Sequence, residues 1–423
     1  MNSMREHRLP ILIKLLLVFY FAITPMDYVL PHIGNATMLT PVGAMIAVLC
    51  VGDVICTRHW CIRVNREELV IVWLVFMCMT SILWAKNFSA AYSHTKSFLM
   101  TGAIYFLLMS YEYSAEDIRL VEIGSIIGGV LLGIYVFTEV NIDLVLAGYR
   151  LDFDNIGGGE FSDPNGLAGR LMMPFLFSLK RVFNAGKWLV RMVCLVACGL
   201  ILSLILLTGS RGAILAVGTA LLVLINAQAR EKKYGVILGM LVFAGIAAVY
   251  LPIVLPEHIY SRIFGYEKYA EVMSVEGDRI DIWTHVILDL FPESPIFGYG
   301  AGNASNALAN FYGRVKAVHN SHLLFLAELG LLGFVPWMGY IFGKFRNAVS
   351  VKRENPFCLA VFLAVIIVSA CLDAAREKYL WNTLLYVYMN YVVFVKNHVK
   401  NHTKGSEGND SASDSVRVFS TRK

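Results

Sequence analysis

The chain has 423 residues, of which 57% are hydrophobic and 16% charged, and its mean hydropathy is +0.61. A soluble chain of this length is far more polar and divides into roughly two or three domains, so that class is excluded. The net charge of +5 is spread over short loops between apolar runs, which excludes a nucleic-acid binder built on one basic face.

Apolar runs of about 20 residues, the length that crosses a bilayer core, recur along the chain. In order they predict spans near 10–30, 37–56, 67–85, 92–111, 118–138, 164–183, 188–208, 211–227, 234–255, 320–343, 356–373 and 379–396. The expected fold class is all-α, a polytopic integral membrane protein with about 12 transmembrane helices. "MNSMREHR" precedes the first span, and no small-residue cleavage site follows it, so this span reads as a retained anchor. Residues 1–138 group as spans one to five, and 139–255 as spans six to nine with an external loop before them. Residues 256–319 form a large periplasmic loop carrying short amphipathic helices, and 320–396 hold the last three spans. The polar stretch 397–423 reads as a disordered cytoplasmic tail.

Lys and Arg set the orientation. Arg8, Arg66, Lys180, Arg181, Lys187, Lys232, Lys233, Lys344, Arg346, Lys352 and Arg353 all fall in loops on one side. With an even number of spans, both termini are expected in the cytoplasm. The eight cysteines lie in or beside spans without a C-x-x-C, so they read as small packing residues.

Several charges run against that orientation. Residues 188–227 are twice too long for one span, and "TGSRG" is the turn inside them: Gly209 relaxes the backbone, and Ser210 caps the next helix. Arg211 therefore sits at the outer boundary, at the depth of lipid phosphates. Asp163 followed by Pro164 is an N-cap with proline at the first helical position. Arg170 lies two turns further in and should face the interior, and Arg150 adds another external cation.

In "GDRIDIWTHVILDLF", Trp283, Val286, Ile287, Leu290 and Phe291 form one apolar face, opposite Asp281, Thr284, His285 and Asp289. Asp278 is its expected cap, and Arg279 stands in its first turn. "GYGAGNAS" at 298–305 lacks the third glycine and preceding strand of a dinucleotide loop, but its backbone N–H groups could serve a ligand. In "VHNSHLLFLAELGLLGFV", read as a continuous helix, Gly330 and Gly333 lie near the face of His319 and admit a neighbouring helix. Glu328 falls on the opposite face and is expected to hold another helix. His319 and His322 lack a third ligand at matched spacing, so no metal is expected.

Arg211 in "SRGAIL", Arg279 in "GDRIDIW…SPIFGYGAGN" and the H-N-x9-G-x-x-G pattern of "HNSHLLFLAELGLLG" occur in this order. Over residues 160–335 the sequence thereby resembles the bacterial O-antigen ligase/polymerase family. The resemblance implies a glycosyltransferase of the bacterial inner membrane that works on its periplasmic face, moving a glycan from an undecaprenyl-diphosphate carrier to an acceptor hydroxyl without metal or other cofactor. Polymerisation onto a second carrier-linked glycan is favoured over ligation to lipid A–core, because "FSDPNGLA" and "GYGAGN" look more like polymerases. A secondary transporter is the alternative from another class. In the implied reaction His319, Arg211 and Arg279 are catalytic, and Arg150, Arg170, Asp163, Asn165, Asn320 and His322 line the substrate. The bilayer, the donor, the acceptor and polysaccharide-assembly proteins such as a flippase or chain-length regulator are the implied partners. Nucleic acid is not among them.

Overall fold

A computed structural model describes residues 8–31, 37–57, 66–139, 145, 150–151, 163–227, 255–264, 279–313 and 315–407. Among these residues the regular structure is helical, and the one β-bridge pairs Arg8 with Glu112. The helices are α1 (Ile11–Ile23), α2 (Leu39–Thr57), α3 (Leu69–Ser81), α4 (Phe88–Leu108) and α5 (Ala115–Glu139). Next come α6 (Pro164–Asn184), α7 (Trp188–Leu207), α8 (Arg211–Ala227) and α9 (Glu257–Phe264). The C-terminal part holds α10 (Arg279–His285), α11 (Ala304–Tyr312), α12 (Ser321–Val351), α13 (Pro356–Ser369) and α14 (Lys378–Glu407). The expected spans overlap these helices, but the first helix ends at Ile23, short of 30, and the helices of the tenth and last expected spans run on to Val351 and Glu407. Expectations for 234–254, Asp278 and 408–423 lie outside the described residues. The last helix continues past 396 to Glu407, so the segment 397–407, expected as tail, extends α14 instead.

Among the described residues, Leu39–Cys56, Ala115–Glu139, Trp188–Leu207 and Ser321–Val351 are long and apolar enough to cross a membrane. Ile11–Met26, Arg211–Ala227 and Pro356–Ser369 are shorter apolar helices. α6 is the central element. Its residues from Asn165 to Ser178 are all buried, and it packs against α5, α7, α8 and α13. The predicted caps are present: the Asp163 carboxylate accepts from Asn165 N at 2.8 Å, and Ser210 Oγ accepts from Ala213 N at 3.3 Å. α5 meets α1 so closely that a Cβ on Gly128 would stand 1.8 Å from the Ala22 carbonyl oxygen.

Buried charges at one end of the bundle are paired. Lys344 is fully buried and bonded to Glu68, which also accepts from Tyr340 Oη at 2.8 Å. Glu122 takes Lys180 at 2.6 Å, Arg181 at 3.1 Å and Tyr386 Oη at 2.7 Å. Such pairing is required, since an isolated charge in this setting is far too costly.

The element that departs most from the sequence reading is α12. Gly330 has φ 60° and ψ −156°, a conformation closed to residues with a side chain, and it breaks the helix into limbs 321–329 and 331–351. His322 Nδ1 accepts from Trp337 Nε1 at 3.1 Å, and the Phe325 and Trp337 rings stack at 4.5 Å. Residues fifteen apart on a straight helix stand about 22 Å apart along the axis, so the limbs fold back on each other. A common face for His319, Gly330 and Gly333 therefore does not exist, because the helical periodicity stops at Gly330.

A break of this kind frees backbone groups that must find partners. The 294–303 loop supplies them. Tyr299 N and Gly300 N donate to the carbonyls of Ala327 and Glu328 at 2.9 and 2.8 Å. Leu331 N and Leu332 N donate in turn to Pro295 and Ile296 at 2.8 and 3.3 Å. A Cβ on Gly330 would meet the Ile296 backbone at 2.4 Å, and one on Gly298 would meet the Glu328 backbone at 2.4 Å. These glycines admit a loop, not the helix expected.

Candidate active site

The loop's N–H groups are thus spent inside the protein, correcting the expectation that "GYGAGNAS" donates them to a ligand. Ala301 N donates to Ser81 Oγ at 3.0 Å, and the Glu328 carboxylate takes N–H groups from Gly302 and Ala304. Glu328 accordingly holds the loop, and it also meets a neighbouring helix as expected, with His94 Nδ1 of α4 3.8 Å from Oε1. α10 feeds this loop through a π-helical turn, Val286–Leu290, that shifts its register. Ile282, Val286 and Leu290 are buried while Ile287 is exposed, so the apolar face is not the expected set.

His319 precedes α12 instead of lying on it. Among the described residues it is the one non-glycine with positive φ, at 52°. That conformation costs roughly 1–3 kcal/mol and persists only where surroundings enforce it. Asp373 enforces it: its carboxylate accepts the backbone N–H of His319 and that of Asn320, the latter at 3.1 Å. The Asn320 side chain caps the limb by accepting from His322 N at 3.0 Å and Leu323 N at 3.1 Å. Ser321 Oγ donates to the Leu372 carbonyl and accepts from Ala374 N, both at 2.7 Å. With the turn pinned in this way, His319 Nδ1 is buried without a hydrogen-bond partner. Burial pushes the Asp373 carboxyl above the usual carboxylate range, and His319 and Arg376 oppose that rise.

The 370–377 loop between α13 and α14 was not singled out in the sequence. "CLDAAREK" is nevertheless a dense charge run between two apolar helices. Asp373 faces His319, Arg376 acts on Glu328 and Asp373, and Glu377 is bonded to Arg170. The Arg170 guanidinium lies 4.1 Å from the Tyr28 ring centroid. Arg170 is buried, as expected, and it is charge-compensated.

The remaining arginines gather at the starts of other helices. Arg211 opens α8 and donates from Nε to the Arg262 carbonyl at 2.7 Å. Arg150 donates to the Thr208 carbonyl at 2.8 Å and to Asn165 Oδ1 at 3.4 Å. Asn165 Nδ2 donates to Asp163 at 2.7 Å, so Asp163, Asn165 and Arg150 form one chain of bonds. A Cβ on Gly209 would touch Arg262 Cδ at 3.3 Å, which brings Arg150, Arg211 and Arg262 around one turn. Arg279 opens α10 and lies within electrostatic reach of the Cys371 thiol. A Cβ on Gly212 would meet Cys371 Sγ at 3.1 Å. Cys371 therefore connects the neighbourhoods of Arg211 and Arg279, two positions widely separated in sequence. His322 is committed to Trp337. Among the described residues no group of three His, Cys, Asp or Glu side chains could hold a metal ion.

An imidazole in a strained turn and two helix starts carrying Arg211 and Arg279 thus border the 370–377 turn. Guanidinium forks bind phosphate oxygens in pairs and keep their charge, while a neutral imidazole accepts a proton. Residues 196–338 match the family model described as O-antigen ligase. The resemblance to the O-antigen ligase/polymerase family is established over that segment, which holds Arg211, Arg279 and His319 but excludes α1–α6, α13 and α14. No curated protein matches the chain.

Proposed function

We propose that this multi-pass membrane protein is a glycosyltransferase that moves a glycan from undecaprenyl diphosphate to an acceptor hydroxyl on the periplasmic face. Polymerisation of a surface polysaccharide is the favoured reaction. Ligation to lipid A–core is the second reading, favoured by the description of the matching family. The observation that supports the reading is His319, with positive φ beside Asp373 and an unpartnered Nδ1, next to a turn whose Cys371 lies against Gly212.

In this reaction the acceptor oxygen attacks the anomeric carbon of the donor sugar, and the bond from that carbon to the phosphate oxygen breaks. The electron pair leaves on the diphosphate, where Arg211 and Arg279 stabilise the gathering negative charge. The hydroxyl proton passes to the His319 imidazole. Asp163, Asn165, Arg150 and Asn320 shape the pocket through the bonds described above. Arg170 acts through Glu377.

The test is transfer by purified protein from a lipid-diphosphate glycan, read beside the lipopolysaccharide banding of a deletion strain. Core carrying a single repeat unit indicates a polymerase, and polymer accumulating on the carrier indicates a ligase. Transfer is expected to continue in EDTA. Solute uptake by proteoliposomes without any glycan transfer would overturn the proposal in favour of a transporter.

A further inference from the structure

Glu328 is an acid at the end of an apolar limb, two residues before the break at Gly330, and the reaction just proposed does not use it. Its surroundings are specific. Two backbone N–H groups of the 294–304 loop end on its carboxylate, those of Gly302 and Ala304. His94 Nδ1 of α4 stands 3.8 Å from Oε1. A Cβ on Gly302 would strike His94 Cγ at 2.6 Å, so loop and imidazole are in direct contact. Arg376 acts electrostatically on Glu328, on His94 and on Asp373. A small cavity with room for about one water, ≈ 20 Å³, lies among these side chains and is otherwise lined by Cys78, Phe98 and Phe325.

The connections form a line. The loop that carries α10, and with it Arg279, ends on Glu328. Glu328 faces Arg376. Arg376 follows Asp373 by three residues in the same turn, and the Asp373 carboxylate accepts from Asn320 N, next to His319, at 3.1 Å. A carboxylate used only to cap a loop needs no cation behind it that also serves a second carboxylate. Arg376 shares a cavity lining with Glu328 and a short turn with Asp373, so it stands next to both.

We propose that Glu328 and Arg376 are positioning residues that set the external segment 279–313 in register with His319, through Asp373. The inference rests on the transferase reading for its consequence in turnover, but the link to His319 is measurable without turnover. Glu328→Gln keeps an oxygen for Gly302 and Ala304 while removing the charge that Arg376 meets. Arg376→Gln removes the other partner.

Each single variant is expected to lower kcat 10- to 100-fold while KM for the lipid-linked glycan changes less than threefold. The double variant is expected to be no worse than either single one, because the pair acts as a unit. The rate at which diethyl pyrocarbonate modifies His319, mapped by mass spectrometry, is expected to change at least threefold in both single variants. Thermal stability is followed alongside, and Glu328→Asp serves as the conservative variant, with partial recovery of kcat expected. A wild-type His319 modification rate in Glu328→Gln overturns the proposal whatever the turnover, as do kcat losses that multiply in the double variant. Absence of transfer by the wild-type protein would instead refute the transferase reading, and the modification rates would still decide the link.

Discussion

Replacing Gly330 with alanine tests whether the fold-back of α12 is what holds the external loop. Alanine at φ 60° and ψ −156° enters a region reserved for glycine, at roughly 1–3 kcal/mol. Its Cβ would also stand 2.4 Å from the Ile296 carbonyl carbon and oxygen and 2.7 Å from Phe297 N. All three are backbone atoms, so no rotamer change relieves the contact and the loop must move. That movement strains the bonds from Leu331 N to Pro295 and from Leu332 N to Ile296, each worth about 1 kcal/mol net. The combined loss is roughly 3–5 kcal/mol. Gly339 is the control. It is exposed on the same limb with nothing within 4 Å of an added Cβ, so Gly339→Ala should be neutral or gain up to ~1 kcal/mol. Thermal unfolding in detergent should show a fall of roughly 5 °C or more for Gly330→Ala. Hydrogen exchange should show lost protection at Tyr299 and Gly300. Equal melting of the two variants with unchanged exchange would refute the hinge argument.

Three further outcomes are expected. Arg211→Lys and Arg279→Lys should each lower transfer at least ~10-fold in the lipid-diphosphate assay without loss of fold, because a point charge cannot copy a fork on phosphate. His319→Gln should fold with a melting temperature close to wild type and lose ~10²- to 10⁴-fold in kcat, since an amide cannot accept the proton; near-normal turnover would reassign the residue to acceptor orientation. Glu68→Gln leaves Lys344 buried without a carboxylate and should cost about 3–5 kcal/mol in denaturant titrations, most of it regained when Lys344→Met is added.

The helices were legible because a span announces itself by length and apolarity, and the caps because Asp163–Pro164 and Ser210 carry their chemistry locally. His319, Arg211 and Arg279 were singled out by an ordered set of motifs, and all three fall in the segment that matches the family model. The hinge was not. A helical wheel assumes that the helix continues, and nothing in "LAELGLLG" announces that a loop from thirty residues upstream will fill a break at Gly330. Asp373 and Arg376 were missed for a related reason. They lie in a short turn between two spans, where charges are ordinary, and only the fold carries them under His319. The π-turn in α10 moved Ile287 off the buried face because periodicity arguments presume one helical repeat throughout.

The dependence of His319 on a later turn has a consequence for how the protein is made. Asp373 follows Asn320 by 53 residues. At ordinary translation speeds the ribosome reaches it on the order of 3–10 s after the histidine. The 321–329 limb is too short to span a bilayer by itself, so it leaves the translocon without the contacts that later fix it. Until the 370–377 turn emerges, the His319 backbone has no carboxylate to hold it in its strained form. If the proposed transfer is the reaction, a nascent chain is not yet able to act on lipid-linked glycans while its first helices enter the membrane. Under that proposal, a product terminated before Asp373 is expected to lack transfer.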